Sequence, residues 1–588
     1  MFKLTTEQQN IIQALSNGER KVLVEAYAGT GKTSTLIEVI KNNPTKRFLI
    51  LMFNKSVADE FNQKLKKLGI KNATARTGHS LAYQYVVRVK GYDIGYPLKD
   101  WSLAKEYNHP KKVCYHVEKT VTNWCKSVNT NTFASVDDLP IDSRNDLNLG
   151  DQTKVVKLSN RVINDMRIKN RKITFDFYMK EFLIGLANGT IKVANYDVVA
   201  LDEAQDTAPV MKQIFDTLPV SQKIAVGDEL QSIYAWNGAI SAITDWKEEG
   251  GWSTLNLSQS FRLSPDVASD VNYLIKGLFL KETSLKGFES PDPKNPTKAT
   301  LSRTNTMLIK EMIGYVKHGI KWCTTRDPEA IFEMLNDVSG LNAKSINPEK
   351  DYQPKIPYMS DVYDSYIERK KKLTDVMAKS YTFLKFCLEA LDSNQDREII
   401  TAAKLIPQLA EEDLTSYQLL QMTKEYNATS DKDGFVNLST AHTAKGLEWD
   451  YVKVIGFLPF SNLIYEVLQF RIHEMMTMDY ADQHDGIDFS PFNTGAIEWM
   501  YDWVKDHIDE MFIYGLWEDI IKNPKNRSHE ETLNISELYL LYVAVTRAKK
   551  AFICVDADSD LWENGINWNE ISFNIQKLIE ENYDKEKK

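Results

Sequence analysis

At 588 residues and 43% hydrophobic side chains, the chain is long enough for roughly four domains with their own cores, which excludes wholesale disorder. Its 72 lysines and arginines against 81 aspartates and glutamates leave a net charge of −9, so any nucleic-acid track must be a local basic groove. Five scattered cysteines without a C-x-x-C pair argue against an iron–sulfur or zinc module. No apolar run reaches membrane-spanning length and no signal pattern opens the chain, so a soluble, cytoplasmic protein with no membrane partner is expected.

The first informative element is the apolar run Lys21-Val22-Leu23-Val24, a strand, followed by Ala26-Tyr27-Ala28-Gly29-Thr30-Gly31-Lys32-Thr33 and a helix from Ser34 to Ile40. A strand, a glycine-rich turn and a helix start present backbone N–H groups to the phosphates of a nucleotide. Ala28, Gly29, Thr30, Gly31, Lys32, Thr33 and Ser34 are assigned to the nucleotide, with Lys32 on the β/γ oxygens and the Thr33 hydroxyl on Mg²⁺. Residues 87–172, rich in Trp, Lys and Asn, predict a helical insertion. Its cations Lys154, Lys157, Arg161, Arg167, Lys169, Arg171 and Lys172 are either a strand track or a solvated helix face.

Tyr196 to Leu201 predicts a buried strand running into Asp202-Glu203-Ala204-Gln205-Asp206. A carboxylate at a strand tip can hold Mg²⁺ and its neighbour can orient the attacking water, so Asp202 is assigned to the metal and Glu203 to the water. Lys223 to Val226 predicts another strand, after which Gln231 can sense the γ-phosphate. Tyr234 and Trp236 either stack on unpaired bases or belong to the core.

Taken together, these segments resemble superfamily 1A DNA helicases of the UvrD/Rep type, most nearly the F-box DNA helicase branch, though without a recognisable F-box. The resemblance runs in order along almost the whole chain. Leu4-Thr5-Thr6-Glu7-Gln8 resembles the Q motif, in which Gln8 reads adenine. Phe53-Asn54-Lys55-Ser56 and Thr77-Gly78-His79-Ser80 resemble strand-contacting motifs, implying DNA contacts from Phe53, Asn54, Thr77 and His79. Leu257 to Arg262 resembles the segment that stacks an aromatic, here Phe261, on adenine and brings an arginine, Arg262, to the γ-phosphate. Ser439 to Trp449 resembles motif V, with His442 and Thr443 on DNA and Glu448 on nucleotide. Leu541 to Ala548 resembles motif VI, with Arg547 as a second arginine finger. The catalytic set so implied is Lys32, Asp202, Glu203, Gln231, Arg262 and Arg547. Asn237 and Gly78 depart from the family pattern, which usually has an arginine and an aromatic there.

The resemblance implies an α/β fold of two RecA-like P-loop motor domains with mainly parallel sheets and helical inserted subdomains. The first motor domain is expected at 1–86 and 173–260, around the insertion at 87–172; the second at 261–335, 425–457 and 530–588. A short regulatory insertion is expected at 336–424 and a further one at 458–529. The aromatics Trp499, Tyr501, Trp503, Phe512, Tyr514 and Trp517 of the latter are either a protein-partner surface or core. The implied activity is ATP- and Mg²⁺-dependent movement on single-stranded DNA, 3′ to 5′, with unwinding of tailed duplexes by a monomer. Stripping of proteins from DNA by the same motor stays open, and the intact catalytic set argues against a degenerate ATPase.

Overall fold

The structure is a computed structural model that describes residues 4–233, 241–389, 397–484, 494–555 and 567–586. The chain divides into two units, Met1–Phe261 and Arg262–Lys588. Both are α/β, each built on a parallel sheet, as the sequence predicts.

The first sheet comprises β1 (Lys21–Ala26), β2 (Phe48–Met52), β3 (Ala73–Thr77), β4 (Val198–Leu201), β5 (Gln222–Gly227) and β6 (Ser253–Leu257), in the order β3-β2-β4-β5-β1-β6. All five pairings are parallel. The continuous apolar runs of β2 and β4 are buried throughout, the pattern of strands covered on both faces. Val22, Val24, Ile50, Ala200 and Ile224 pack into one core with the helices Thr6–Ser16, Lys32–Lys41 and Lys55–Lys67. Leu23, Leu49, Leu51, Val199, Leu201 and Ala225 alternate to the other face. There they share a core with Val117, Trp124, Val155, Val162 and Met166, from the helices Lys111–Lys126 and Leu149–Arg167 within residues 87–172.

That packing changes the reading of the basic run. Arg167 is ion-paired with Glu181 at 2.7 Å and lies over the rings of Trp124 and Phe133. Arg171 pairs with Glu106, Lys154 with Asp151, and Arg161 covers Tyr107. Four of the seven cations are therefore engaged within this unit, so the run is not a free basic strip.

The second sheet comprises β7 (Lys298–Ser302), β8 (Trp322–Thr324), β9 (Val436–Thr440), β10 (Trp449–Ile455) and β11 (Ala548–Cys554), ordered β11-β10-β7-β9-β8 and parallel throughout. The described residues of 336–424 share a core with the second sheet. The helix Pro328–Ile346 runs through position 336 unbroken, and Leu341, Phe383, Phe386, Ile399 and Leu419 pack with Ile309, Met312, Trp322 and Leu438. The Trp322 indole N–H donates to Thr423 Oγ1 (3.1 Å), fastening this helical layer to the sheet. Between 458 and 529 lie the helices Phe460–Gln483, Thr494–His507 and Glu510–Lys522. Trp503 and Trp517 are buried there, and Trp517 donates to the Leu278 carbonyl (2.9 Å), so these two are core and not surface.

Candidate functional site

In the first unit the parallel strands all end at one edge, where the predicted nucleotide residues gather. β1 leads into the glycine-rich turn. Gly29 and Gly31 take φ of 73° and 81°, a left-handed conformation that side chains with a Cβ resist. Gly31 occupies the N-cap of the helix Lys32–Lys41 without a side-chain cap, so the first-turn amides of that helix suit an anion. The segment after β6 holds the turn in place: Phe261 N–H donates to Gly29 O (2.9 Å), and Ser260 Oγ to Ala28 O (2.9 Å). Phe261 is 38% exposed and its ring borders Gly31, where an added Cβ would meet it at 3.7 Å. Gln8 is buried beside it. Its Nε2 donates to Thr35 Oγ1 (3.2 Å), and its Oε1 accepts from Thr5 N–H in a capping box.

β5 lies between β1 and β4, so Asp202 and Glu203 after β4 and Gln231 after β5 stand on neighbouring strands of the same edge. The Lys32 ammonium is 3.7 Å from Glu203 Oε2. Glu203 has φ 55°, a left-handed conformation uncommon for a residue with a side chain. Thr33 and Asp202 offer a hydroxyl and a carboxylate, hard oxygen donors of the kind that suit Mg²⁺.

The residues assigned to strand contact occupy different local settings. Asn54 and Thr77 act as N-caps, accepting from Val57 N–H (2.9 Å) and Ser80 N–H (3.0 Å). Phe53 is exposed. Gly78 is explained by packing, since a Cβ there would fall 2.3 Å from Met211 Sδ. His79 lies edge-on to Tyr178 (6.0 Å) and Phe175 (6.4 Å), and desolvation lowers its pKa. Phe175 and Tyr83, which sequence reasoning did not single out as site residues, are 52% and 45% exposed, and both rings contact Tyr178. Their only sequence signal was aromaticity, which does not distinguish a surface ring from a core one. Tyr234, Trp236 and Asn237 lie outside the described residues.

In the second unit the predicted residues divide between the two edges of the sheet. His442 and Thr443 follow β9 at its carboxyl end. Thr443 Oγ1 and Thr440 Oγ1 are hydrogen-bonded (3.0 Å), and Arg303 after β7 pairs with Glu537. Burial, with Arg303 and Lys445 nearby, pushes the His442 imidazole down to about 4 against the pull of Glu537. Glu448 and Arg547 instead precede β10 and β11. Arg547 is fully buried, with Nε donating to Val543 O (2.9 Å) and Nη2 to Thr546 Oγ1 (3.2 Å).

Residues 4–249 match the family model of the UvrD/REP helicase N-terminal domain, and residues 341–557 that of the UvrD-like helicase C-terminal domain. The chain belongs to the UvrD/Rep helicase family. Its two parallel-sheet units are the RecA-like domains of that family. Among its relatives is the F-box DNA helicase protein 1 of Schizosaccharomyces pombe, 22% identical over 599 residues, which cover 95% of this chain and 58% of that protein. The F-box DNA helicase 1 of Gallus gallus is 29% identical over 292 residues, 45% of this chain and 27% of that protein. A probable DNA helicase II homolog of Mycoplasma genitalium is 22% identical over 629 residues, covering 95% and 86%. The chain thus spans little more than half of the first relative and about a quarter of the second. No helix among the described residues is long and apolar enough to cross a membrane.

Proposed function

We propose that this UvrD/Rep family member is an ATP-driven motor that moves 3′ to 5′ on single-stranded DNA and unwinds tailed duplexes. The observation that carries the reading is the gathering of the glycine-rich turn, Lys32, Glu203 and Gln231 at one edge of a parallel sheet, with Lys32 3.7 Å from Glu203.

In this reading the turn amides and Lys32 hold the β- and γ-phosphates of ATP, and Phe261 and Gln8 hold the adenine. Glu203 orients a water and takes its proton as the water oxygen bonds to the γ-phosphorus. The bond from that phosphorus to the β–γ bridging oxygen breaks, and ADP leaves. Thr33 and Asp202 would hold Mg²⁺, which neutralises phosphate charge when bound. Arg262 and Arg547 supply positive charge to the transition state, and Glu448 contacts the nucleotide. Phe53, Asn54, Thr77, His79, His442 and Thr443 contact the strand, with Phe175 and Tyr83 adding base-stacking faces.

DNA repair, recombination or replication is the setting this activity suits. A cytoplasmic monomer, with protein partners on the outer faces of 336–424 or 458–529, completes the proposal. A motor that mainly strips proteins from DNA would use the same residues. The test is ATP hydrolysis with and without single-stranded DNA, for the natural chain and Glu203→Gln, on duplexes with a 3′ or a 5′ tail. DNA-stimulated hydrolysis lost in the variant, with unwinding only from the 3′ tail, is expected. Hydrolysis without strand separation would favour the stripping motor, and no hydrolysis at all would refute the reading.

A further inference from the structure

The helix His529–Val545 leads directly into Thr546 and Arg547, and the Arg547 guanidinium folds back on its last turn through Val543 O (2.9 Å) and Thr546 Oγ1 (3.2 Å). Arg547 therefore stands wherever this helix puts it. Leu540, Leu541, Tyr542, Val543, Ala544 and Val545 are all buried, so this half of the helix is enclosed by apolar packing on every side. Such packing resists sideways movement but is not directional. Hydrogen bonds are directional, and those nearer the start of the helix fix it along and about its axis.

Glu531, in the first turn, is buried, and Arg471 Nε lies 2.6 Å from its Oε1. Its Oε2 accepts from Arg471 Nη2 (3.3 Å) and from Ser528 N–H (2.8 Å), the latter closing a capping box. Nη1 of the same arginine donates to Asp519 Oδ2 (2.5 Å), and Nη2 also reaches the Asn526 carbonyl (3.4 Å). One guanidinium on the helix Phe460–Gln483 thus joins the helix Glu510–Lys522 and the turn Pro524–Asn526 to the start of His529–Val545. A planar fork of five donors can meet these acceptors together, which a lysine ammonium cannot. Farther along, Asn534 Nδ2 donates to the Glu466 carbonyl (2.6 Å), and Glu537 pairs with Arg303. From clamp to Arg547 runs one rod of 17 residues, about 25 Å long at the usual helical rise.

We infer that Arg471 is a positioning residue for ATP hydrolysis: its clamp on the first turn of the helix His529–Val545 holds Arg547 in place at the other end, so that the helices of 458–529 act on hydrolysis through this rod. This rests on the motor reading, in which Arg547 supplies positive charge to the transition state. A displaced Arg547 leaves the phosphate turn, Lys32 and the adenine contacts whole, so nucleotide still binds and is hydrolysed slowly. A misplacement of about 1 Å is enough to cost about 100-fold in rate.

The test removes the clamp without stranding a buried charge. In Arg471→Gln/Glu531→Gln both partners are neutral, and glutamine at 531 can still close the capping box. Asp519→Asn is the milder variant: Asp519 is half-exposed, and its change frees one arm of the fork while leaving Glu531 paired. Arg527→Gln is the control, since Arg527 lies in the same segment but donates to the Ile520 and Ile521 carbonyls. Steady-state hydrolysis with an oligo(dT) strand, fluorescent ATP-analogue affinity and thermal midpoint are measured for each. Single-turnover hydrolysis is measured for the double variant in an Arg547→Ala background. The double variant should lose about 10- to 100-fold in kcat and Asp519→Asn at least about threefold, with KM for ATP within about threefold of the natural chain. Arg527→Gln should change kcat by less than about twofold, and so should the double substitution once Arg547 is gone, because it acts through the residue already removed. Unchanged kcat in either folded clamp variant would overturn the inference, as would an equal loss in Arg527→Gln or an undiminished loss in the Arg547→Ala background. If the natural chain hydrolyses no ATP, the motor reading itself fails and this inference falls with it.

Discussion

Arg262 and Glu448, 186 residues apart in the chain, form an ion pair of 2.7 Å where β10 begins. Arg262 also donates to the Thr546 carbonyl (3.4 Å), and Lys549 reaches the other Glu448 oxygen at 3.0 Å. Burial by itself would raise the Glu448 pKa, yet Arg262 and Lys549 hold it below the usual carboxylate value. In the proposed motor, a phosphate oxygen reaching Arg262 competes with this carboxylate.

Arg262→Ala should therefore lower kcat for ATP hydrolysis by about 10³-fold or more, the scale of a lost arginine finger, with little change in thermal midpoint. The pair is partly exposed, and such pairs contribute about 0–1 kcal/mol to folding. Arg262→Lys should not restore the rate, because a point charge cannot reproduce the planar fork. Phosphate release and nucleotide titration check both outcomes.

Arg547 should behave differently. Its guanidinium is buried and bonded to Val543 O and Thr546 Oγ1, so Arg547→Ala removes buried hydrogen bonds and leaves a space in a closed interior. We expect a loss of about 1–3 kcal/mol in stability together with the loss of hydrolysis. Denaturant unfolding of the two arginine variants side by side distinguishes them: stability falls for position 547 and not for 262.

His442 gives a pH signature. Its imidazole is pushed from 6.5 to about 4, so between those values the unfolded chain binds a proton that the folded chain refuses. Stability should fall as pH drops through that window, and His442 contributes no slope above it. His442→Gln should flatten this part of the curve, measured as denaturant midpoints at about pH 5 and about pH 7. A steeper acid loss in the variant would contradict the assignment.

Phe175 tests the strand-facing surface. Removing a base-stacking ring costs about 1–3 kcal/mol, so Phe175→Ala should weaken single-stranded DNA binding roughly 5- to 100-fold. The ring is half exposed, so folding should change little. Fluorescence anisotropy with a labelled oligonucleotide reads the effect, and unchanged affinity would remove Phe175 from the strand path.

By itself, the sequence determined the elements whose physics is local. Short apolar runs mark β1, β4 and β5, glycines mark the turn after β1, and carboxylates at a strand tip mark Asp202 and Glu203. Each of these follows from a few adjacent residues. Only the tertiary structure decided the rest. Residues 336–424 joined the core of the second sheet because their apolar faces meet Trp322 and Leu438, far away in sequence. Arg167 and Arg171 became paired cations because folding brings Glu181 and Glu106 to them, which charge counted along the chain does not reveal. Asn54 and Thr77, assigned to strand contact from the sequence, have a second role as helix caps that only the fold displays. Gln205 had no role assigned from the sequence, and only the fold sets the Asp228 amide against it. Pairing between distant residues depends on register and packing, which no short stretch of sequence encodes.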